Sequence, residues 1–321
     1  MAVMLSRPRT LTLSPLPGSP DTTSSPAALL PPVGVLVALA AVYVIWGSTY
    51  FVVHLALRTF PPLLLAGVRL TLAGALLYVL ARRVAGVPAP TRAEWRGAAQ
   101  LGVLLLVVGH GAVVFAQQWV PSSLAALSSA SIPLWAAAFA ALAGSRPTRR
   151  EAVALALGFA GVAVLNFGSI AHASLPGMLL LIMAAASWAL GSVRRTRVPT
   201  PRGLLAPAAQ MLVAGPTLLV LALLRGESLR GVPDAASLAS LAYLVVFGSV
   251  VAFSAYNYLL ERVRPTLASS NAWVNPIFAV ALGAGVGGEV VGPSVWMAGV
   301  LVLGAVVLLS LRPVTLRVPR R

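Results

Sequence analysis

One arginine, one histidine and a scatter of tryptophan, tyrosine, serine and asparagine side chains stand inside long apolar runs of this 321-residue chain. Such groups can hold a polar solute, brace neighbouring helices or relay a proton, and each role keeps them away from lipid. Arg69 is the sharpest of them, because a charge deep in an apolar span costs about 2.5 to 3.5 kcal/mol on insertion scales. It must face protein or water, either neutralising a solute carboxylate or tying its helix to polar groups on its neighbours. His110, between Gly109 and Gly111, is the group in these runs that titrates near neutral pH, which leaves proton coupling and hydrogen-bonded packing both open. Glu261 and Glu289 fall at the ends of apolar runs and no Asp or Glu falls in the middle of one, so a carboxylate proton relay is not expected.

The uncharged polar groups form a candidate cavity lining. Asn271 and Asn275 are four residues apart and share a helix face, as do Ser128 and Ser131, three apart. Pro133 and Pro276 each remove a backbone hydrogen bond beside these faces and are candidate helix breaks or gating points. Trp46, Trp188 and Trp273 lie within apolar runs rather than at their ends. A membrane-buried indole N–H needs a partner, which either a polar cavity or interhelical packing supplies. Ser48 and Tyr50 near Trp46, and Tyr256 and Asn257 in a later run, add further polar tips. Enzyme chemistry finds little support: His54, His110 and His172 lack metal-ligand spacing, there is no HExxH, and no G-x-G-x-x-G run follows a strand. With no cysteine, thiolate metal sites and disulfides are excluded, and neither a metal nor a cofactor is expected.

These side chains must be positioned by membrane-spanning helices. The chain is 59% hydrophobic and 9% charged, with mean hydropathy +0.91, whereas soluble domains carry about 25% charged residues. Apolar runs of about 20 residues give ten spans, near 33–55, 61–81, 98–118, 122–143, 152–168, 175–193, 203–224, 237–260, 265–286 and 294–312. Residues 1–32, rich in Pro, Ser and Thr without periodicity, read as a disordered cytoplasmic tail, and 313–321 as a short basic one. The tail lacks the pattern of a signal peptide, so the first span is expected to direct insertion. Thr91 with Glu94 and Thr148 with Glu151 match capping boxes, which gives these glutamates a structural role.

The net charge of +16 follows from topology. All 23 basic residues are arginine. With the amino terminus in the cytoplasm, the inside segments hold 19 of them and the outside loops only Arg58, Arg225 and Arg230. Both termini are thus expected in the cytoplasm. The charge requires no nucleic acid, and the expected environment is the lipid bilayer.

The second half of the chain echoes the first. Pro-Ser-Ser-Leu-Ala-Ala-Leu leading to Ile-Pro-Leu-Trp-Ala at 121–136 returns as Arg-Pro-Thr-Leu-Ala leading to Asn-Pro-Ile-Phe-Ala at 264–279, and Gly47-Ser48 returns as Gly191-Ser192. Five spans separate the copies, and an odd number turns the second copy upside down. The expected fold is therefore all-α and integral to the membrane, two inverted five-helix repeats at 33–168 and 175–312.

At this point the chain resembles the EamA branch of the drug/metabolite transporter superfamily. The resemblance rests on Ile45-Trp46-Gly47-Ser48-Thr49-Tyr50, on Pro61-Pro62 followed by Gly67-Val68-Arg69-Leu70, and on Val120-Pro121-Ser122-Ser123-Leu124-Ala125-Ala126 leading to Pro133-Leu134-Trp135. Ala268-Ser269 leading to Asn275-Pro276, then Gly288-Glu289, add to it in the second half. The family often repeats the Gly-Glu pair, but the first half here has Ser145-Arg146. The resemblance implies a transporter of small solutes, commonly an exporter of amino acids, amines or drug-like metabolites across a bacterial inner membrane, working by alternating access. The other classes to weigh against it are an integral-membrane enzyme and a non-transporting scaffold or scramblase.

Overall fold

The computed structural model describes residues 31–116, 129–165, 174–229, 231–275, 277–278 and 293–310. Ser128 and Pro276 lie outside the described residues, as do Gly288, Glu289 and the side chain of Tyr50. Among the described residues every regular element is helical and there is no strand.

The elements are α1 (Val33–Ala56), α2 (Pro62–Val84) and α3 (Arg92–Ala116), α4 (Ile132–Leu142) and α5 (Arg149–Leu165). They continue with α6 (Leu175–Arg194), α7 (Leu205–Leu224) and α8 (Ala235–Arg262), the short α9 (Pro265–Ala268) and α10 (Pro293–Ser310). Five of them, α2, α3, α6, α7 and α8, are long and apolar enough to cross a bilayer by length and composition. Half or a little less of each such span is buried in the molecule. Much of the remainder is exposed apolar surface, including Leu72, Leu76, Ile182 and Val220, which suits hydrocarbon rather than water.

The helix starts follow from local chemistry. Pro62 and Pro176 occupy first-turn positions of α2 and α6, where a missing N–H costs no hydrogen bond. Thr91 and Glu94 close a capping box on α3, and Thr148 and Glu151 exchange the same bonds at α5. At α8, Asp234 accepts the Ser237 N–H at 2.7 Å, and that bond holds its carboxyl below the usual carboxylate range. Pro133 also stands in the first turn of its helix. The break expected there precedes the proline, as a turn at Ala130 and Ser131, so Pro133 starts α4 instead of kinking it.

Packing is organised by small residues. In a bilayer helices gain nothing from hiding apolar surface from lipid, so close approach and hydrogen bonds must hold them together. The most extensive pairings are α2 with α7 and α5 with α10; α1 packs on α8, α3 on α6 and α7, and α2 also on α8. Exchanging each element for the one five places along the chain maps these pairings onto one another: α1 on α8 becomes α6 on α3, and α2 on α8 becomes α7 on α3, whereas the packing of α4 on α6 has no counterpart of like extent between α9 and α1 among the described residues. α3 and α8 even share wide i→i+5 turns at matching places, Gly102–Gly111 and Leu244–Val251.

At the α2–α7 contact a Cβ on Gly67 would meet Leu219, one on Gly74 would meet Leu212, and one on Gly215 would lie 2.5 Å from the Thr71 backbone nitrogen. Position numbers rise on one helix as they fall on the other, so the two helices run antiparallel. Thr71 and Gly215, which touch, are 144 positions apart, the offset of the Gly-Ser echo. Replacing Gly215 with Val should force the pair apart and destabilise the fold by about 1–3 kcal/mol. A lowered thermal midpoint of the purified protein in detergent is the expected outcome.

Candidate functional site

The centre of the molecule is an aromatic cluster drawn from three helices. Trp46 of α1 meets Trp188 of α6 edge to face, 5.7 Å between centroids at 78°. Tyr256 of α8 sits 5.3 Å from Trp46 and 5.4 Å from Trp188. Offset and edge-to-face arrangements of this kind suit the aromatic quadrupole. Both indole N–H groups find acceptors: Trp46 donates to the Gly248 carbonyl at 2.9 Å and Trp188 to the Tyr256 hydroxyl at 2.8 Å.

Tyr256 is fully buried, and its hydroxyl is the hub of the cluster. It lies 2.7 Å from the Ser192 hydroxyl and 3.1 Å from that of Ser269. Ser192 gives its single proton to the Trp188 carbonyl, so Tyr256 donates to Ser192 while accepting from Trp188 and Ser269. Beside the hub, Asn257 donates to the Phe253 carbonyl and accepts from Gln210 of α7 at 3.1 Å. Tyr43 of α1 bonds Ser270 at 2.6 Å.

Arg69 meets this cluster from α2. It is 7% exposed, and its Nε donates to Ser249 Oγ at 2.7 Å. Glycine at 248 makes room for it, since a Cβ there would lie 3.0 Å from the guanidinium. Arg69 and Trp46 thus dock on neighbouring residues of α8, Ser249 and Gly248. No carboxylate pairs with Arg69 among the described residues. Ser48, one turn from Ile45, bonds that residue's carbonyl and the Tyr243 hydroxyl.

The remaining candidates separate. Trp273 is fully buried, stacked where a Cβ on Gly158 would touch its ring, and its N–H reaches the Ala130 carbonyl at 2.9 Å. It wedges the two halves together and stands apart from the aromatic cluster. His110 is half-buried on α3, and Gly109 beside it packs against Trp188. Asn271 and Asn275 are buried, and the Asn275 carbonyl oxygen has no hydrogen-bond partner among the described residues. Ser131 is the half-buried residue that precedes α4. Gln210, Ser192, Ser249, Ser269, Ser270, Tyr43 and Tyr243 were missed as site residues. Gln210, an amide alone in an apolar run, carried a readable signal, and Ser192 carried one as the echo of Ser48.

Apolar helices packed by glycines around a polar and aromatic centre are the build of an integral-membrane protein. The EamA-like transporter family matches residues 32–167 and again 175–311, and the chain belongs to that family. It is therefore a membrane transporter and not an enzyme. The chain is 42% identical to the uncharacterized inner membrane transporter YedA of Escherichia coli strain K12, over 85% of this chain and 90% of that protein. It is 26% identical to a probable amino-acid metabolite efflux pump of Salmonella typhimurium strain LT2, over 84% of this chain and 90% of the other. A solved crystal structure at 21% identity superposes with a TM-score of 0.71, covering 85% of this chain and 95% of its own, and so shares the fold.

Replacing Tyr256 with Phe removes the hydroxyl that accepts the Trp188 N–H and strands that donor in the core. The variant should lose about 1–3 kcal/mol of stability, read as a lowered thermal midpoint together with quenched or shifted tryptophan fluorescence.

Proposed function

We propose that this chain is a secondary-type carrier that exports a small metabolite, an amino acid or a drug-like solute, by alternating access between two inverted repeats. The observation that carries this reading is the antiparallel contact of α2 with α7 at Thr71 and Gly215, together with the pairings of α1, α2, α3, α6, α7 and α8 that exchange with one another when the halves are exchanged. Repeats related in that way build a site at their interface and expose it to each side in turn. Trp46 and Trp188 come from the first helix of each repeat and touch at that interface, which favours the centre around Tyr256 and Arg69 as the solute site. The Salmonella typhimurium relative, a probable amino-acid metabolite efflux pump, supports the outward direction.

In this reading the repeats occupy 33–168 and 175–312, ten spans cross a bacterial inner membrane, and both termini lie in the cytoplasm with 19 of the 23 arginines. The test is reconstitution in proteoliposomes with amino acids, amines and nucleosides, with and without a pH gradient. A carrier should give saturable flux accelerated by solute on the far side. Well-folded protein that moves none of these solutes would overturn the proposal.

A further inference from the structure

At the end of the molecule that holds the clustered arginines, Glu151 does more than cap α5. Its Oε2 accepts the Thr148 N–H at 3.0 Å and an ion-paired bond from Arg264, while Oε1 accepts the Thr266 hydroxyl at 3.1 Å. Glu151 and Thr266 are buried, 8% and 4% exposed. Arg264 is the residue that opens α9, so one carboxylate joins the start of α5 in the first half to the start of α9 in the second. The pair borders a small, partly open cavity of about 90 Å³ whose lining includes Ala137, Ala140, Val193 and Arg197, residues of α4, α6 and the segment after it.

The other end is held differently. There the halves meet through Thr59 and Ser237 at 3.1 Å and through the Leu64 N–H donating to Glu227 at 2.9 Å. The three ion pairs among the described residues, Glu151–Arg264, Arg195–Glu261 and Arg262–Glu261, all lie at the arginine-rich end. Of these only Glu151–Arg264 joins one half to the other. A partly buried ion pair is strong once formed but leaves the remaining charge stranded if only one partner is removed, which suits a contact that is either fully made or fully released with water.

We propose that Glu151 and Arg264 form an ionic latch across the α4–α6–α9 seam, closing the arginine-rich end and setting which side of the membrane the central site faces. This rests on the alternating-access reading above. Opening toward this end requires the seam to part, which breaks the latch together with the bond from Arg197 to the Ala143 carbonyl. Glu151→Gln is the informative variant, because glutamine still accepts the Thr148 N–H and keeps the helix cap while losing the charge that holds Arg264.

The chain has no cysteine, so a single introduced thiol reports without background. A137C places one in the seam, at a residue 7% exposed, and A56C places a buried control at the opposite end. In liposomes, E151Q and R264Q should each raise the labelling rate of A137C by a membrane-impermeant maleimide about tenfold, the shift that a bias of about 1.4 kcal/mol produces. A56C should label no faster, since a shift toward opening one end cannot open the other, and the swapped pair E151R/R264E should restore slow labelling. Equal labelling of A137C in all variants, or a parallel rise at A56C, would overturn the latch. Solute flux measured on the same liposomes separates the two readings: flux with unchanged labelling removes the latch alone, while absent flux in folded protein removes the carrier.

Discussion

Everything in this molecule hangs from the approach of α2 to α7. A bilayer offers helices no reward for hiding leucine from lipid, so association depends on how near two backbones come and on what polar groups they bring. Gly67, Gly74 and Gly215 let the two helices touch, with Thr71 lying against Gly215. That crossing fixes where α8 and α3 fall on either side of it. Arg69 is on the same helix, two residues before Thr71, so the placement of the one mid-span arginine against Ser249 is a consequence of the glycine contact.

The polar centre is then assembled across long sequence separations. Trp46 reaches Gly248, Trp188 reaches Tyr256, and Tyr43 reaches Ser270. Individual hydrogen bonds between membrane helices are worth only about 0.6 kcal/mol on average, so no one of them holds the fold. Their value lies in direction: each fixes the rotation of one helix relative to another, and the Tyr256 hydroxyl, held by Trp188 and Ser192 of α6 and by Ser269, keeps little freedom.

Much of the frame was legible in the sequence because its signals are local. Apolar runs of sufficient length, Pro62 and Pro176 at helix starts and the Thr91–Glu94 and Thr148–Glu151 boxes depend only on near neighbours, and the described helices begin close to where these residues place them. Trp46, Trp188 and Tyr256 stood out as polar atoms in apolar surroundings. What was not legible is pairing. Nothing in the sequence near Trp273 distinguishes it from Trp46, yet one wedges against Gly158 and the other faces the central cluster. Glu151 showed its cap but not Arg264, 113 residues away, and Pro133 marked a candidate helix break without showing that the turn falls at Ala130 and Ser131, just before it.

Arg69 also has an electrical meaning. The guanidinium is lodged in the protein interior with a neutral hydroxyl as its hydrogen-bonded neighbour and no carboxylate partner among the described residues. A fixed positive charge in a low-dielectric surround repels other cations strongly. A sodium ion or hydronium entering the polar centre would meet that repulsion without a compensating anion. Any cation drawn into this polar centre would have to approach the Arg69 charge, fixed on the second helix against Ser249.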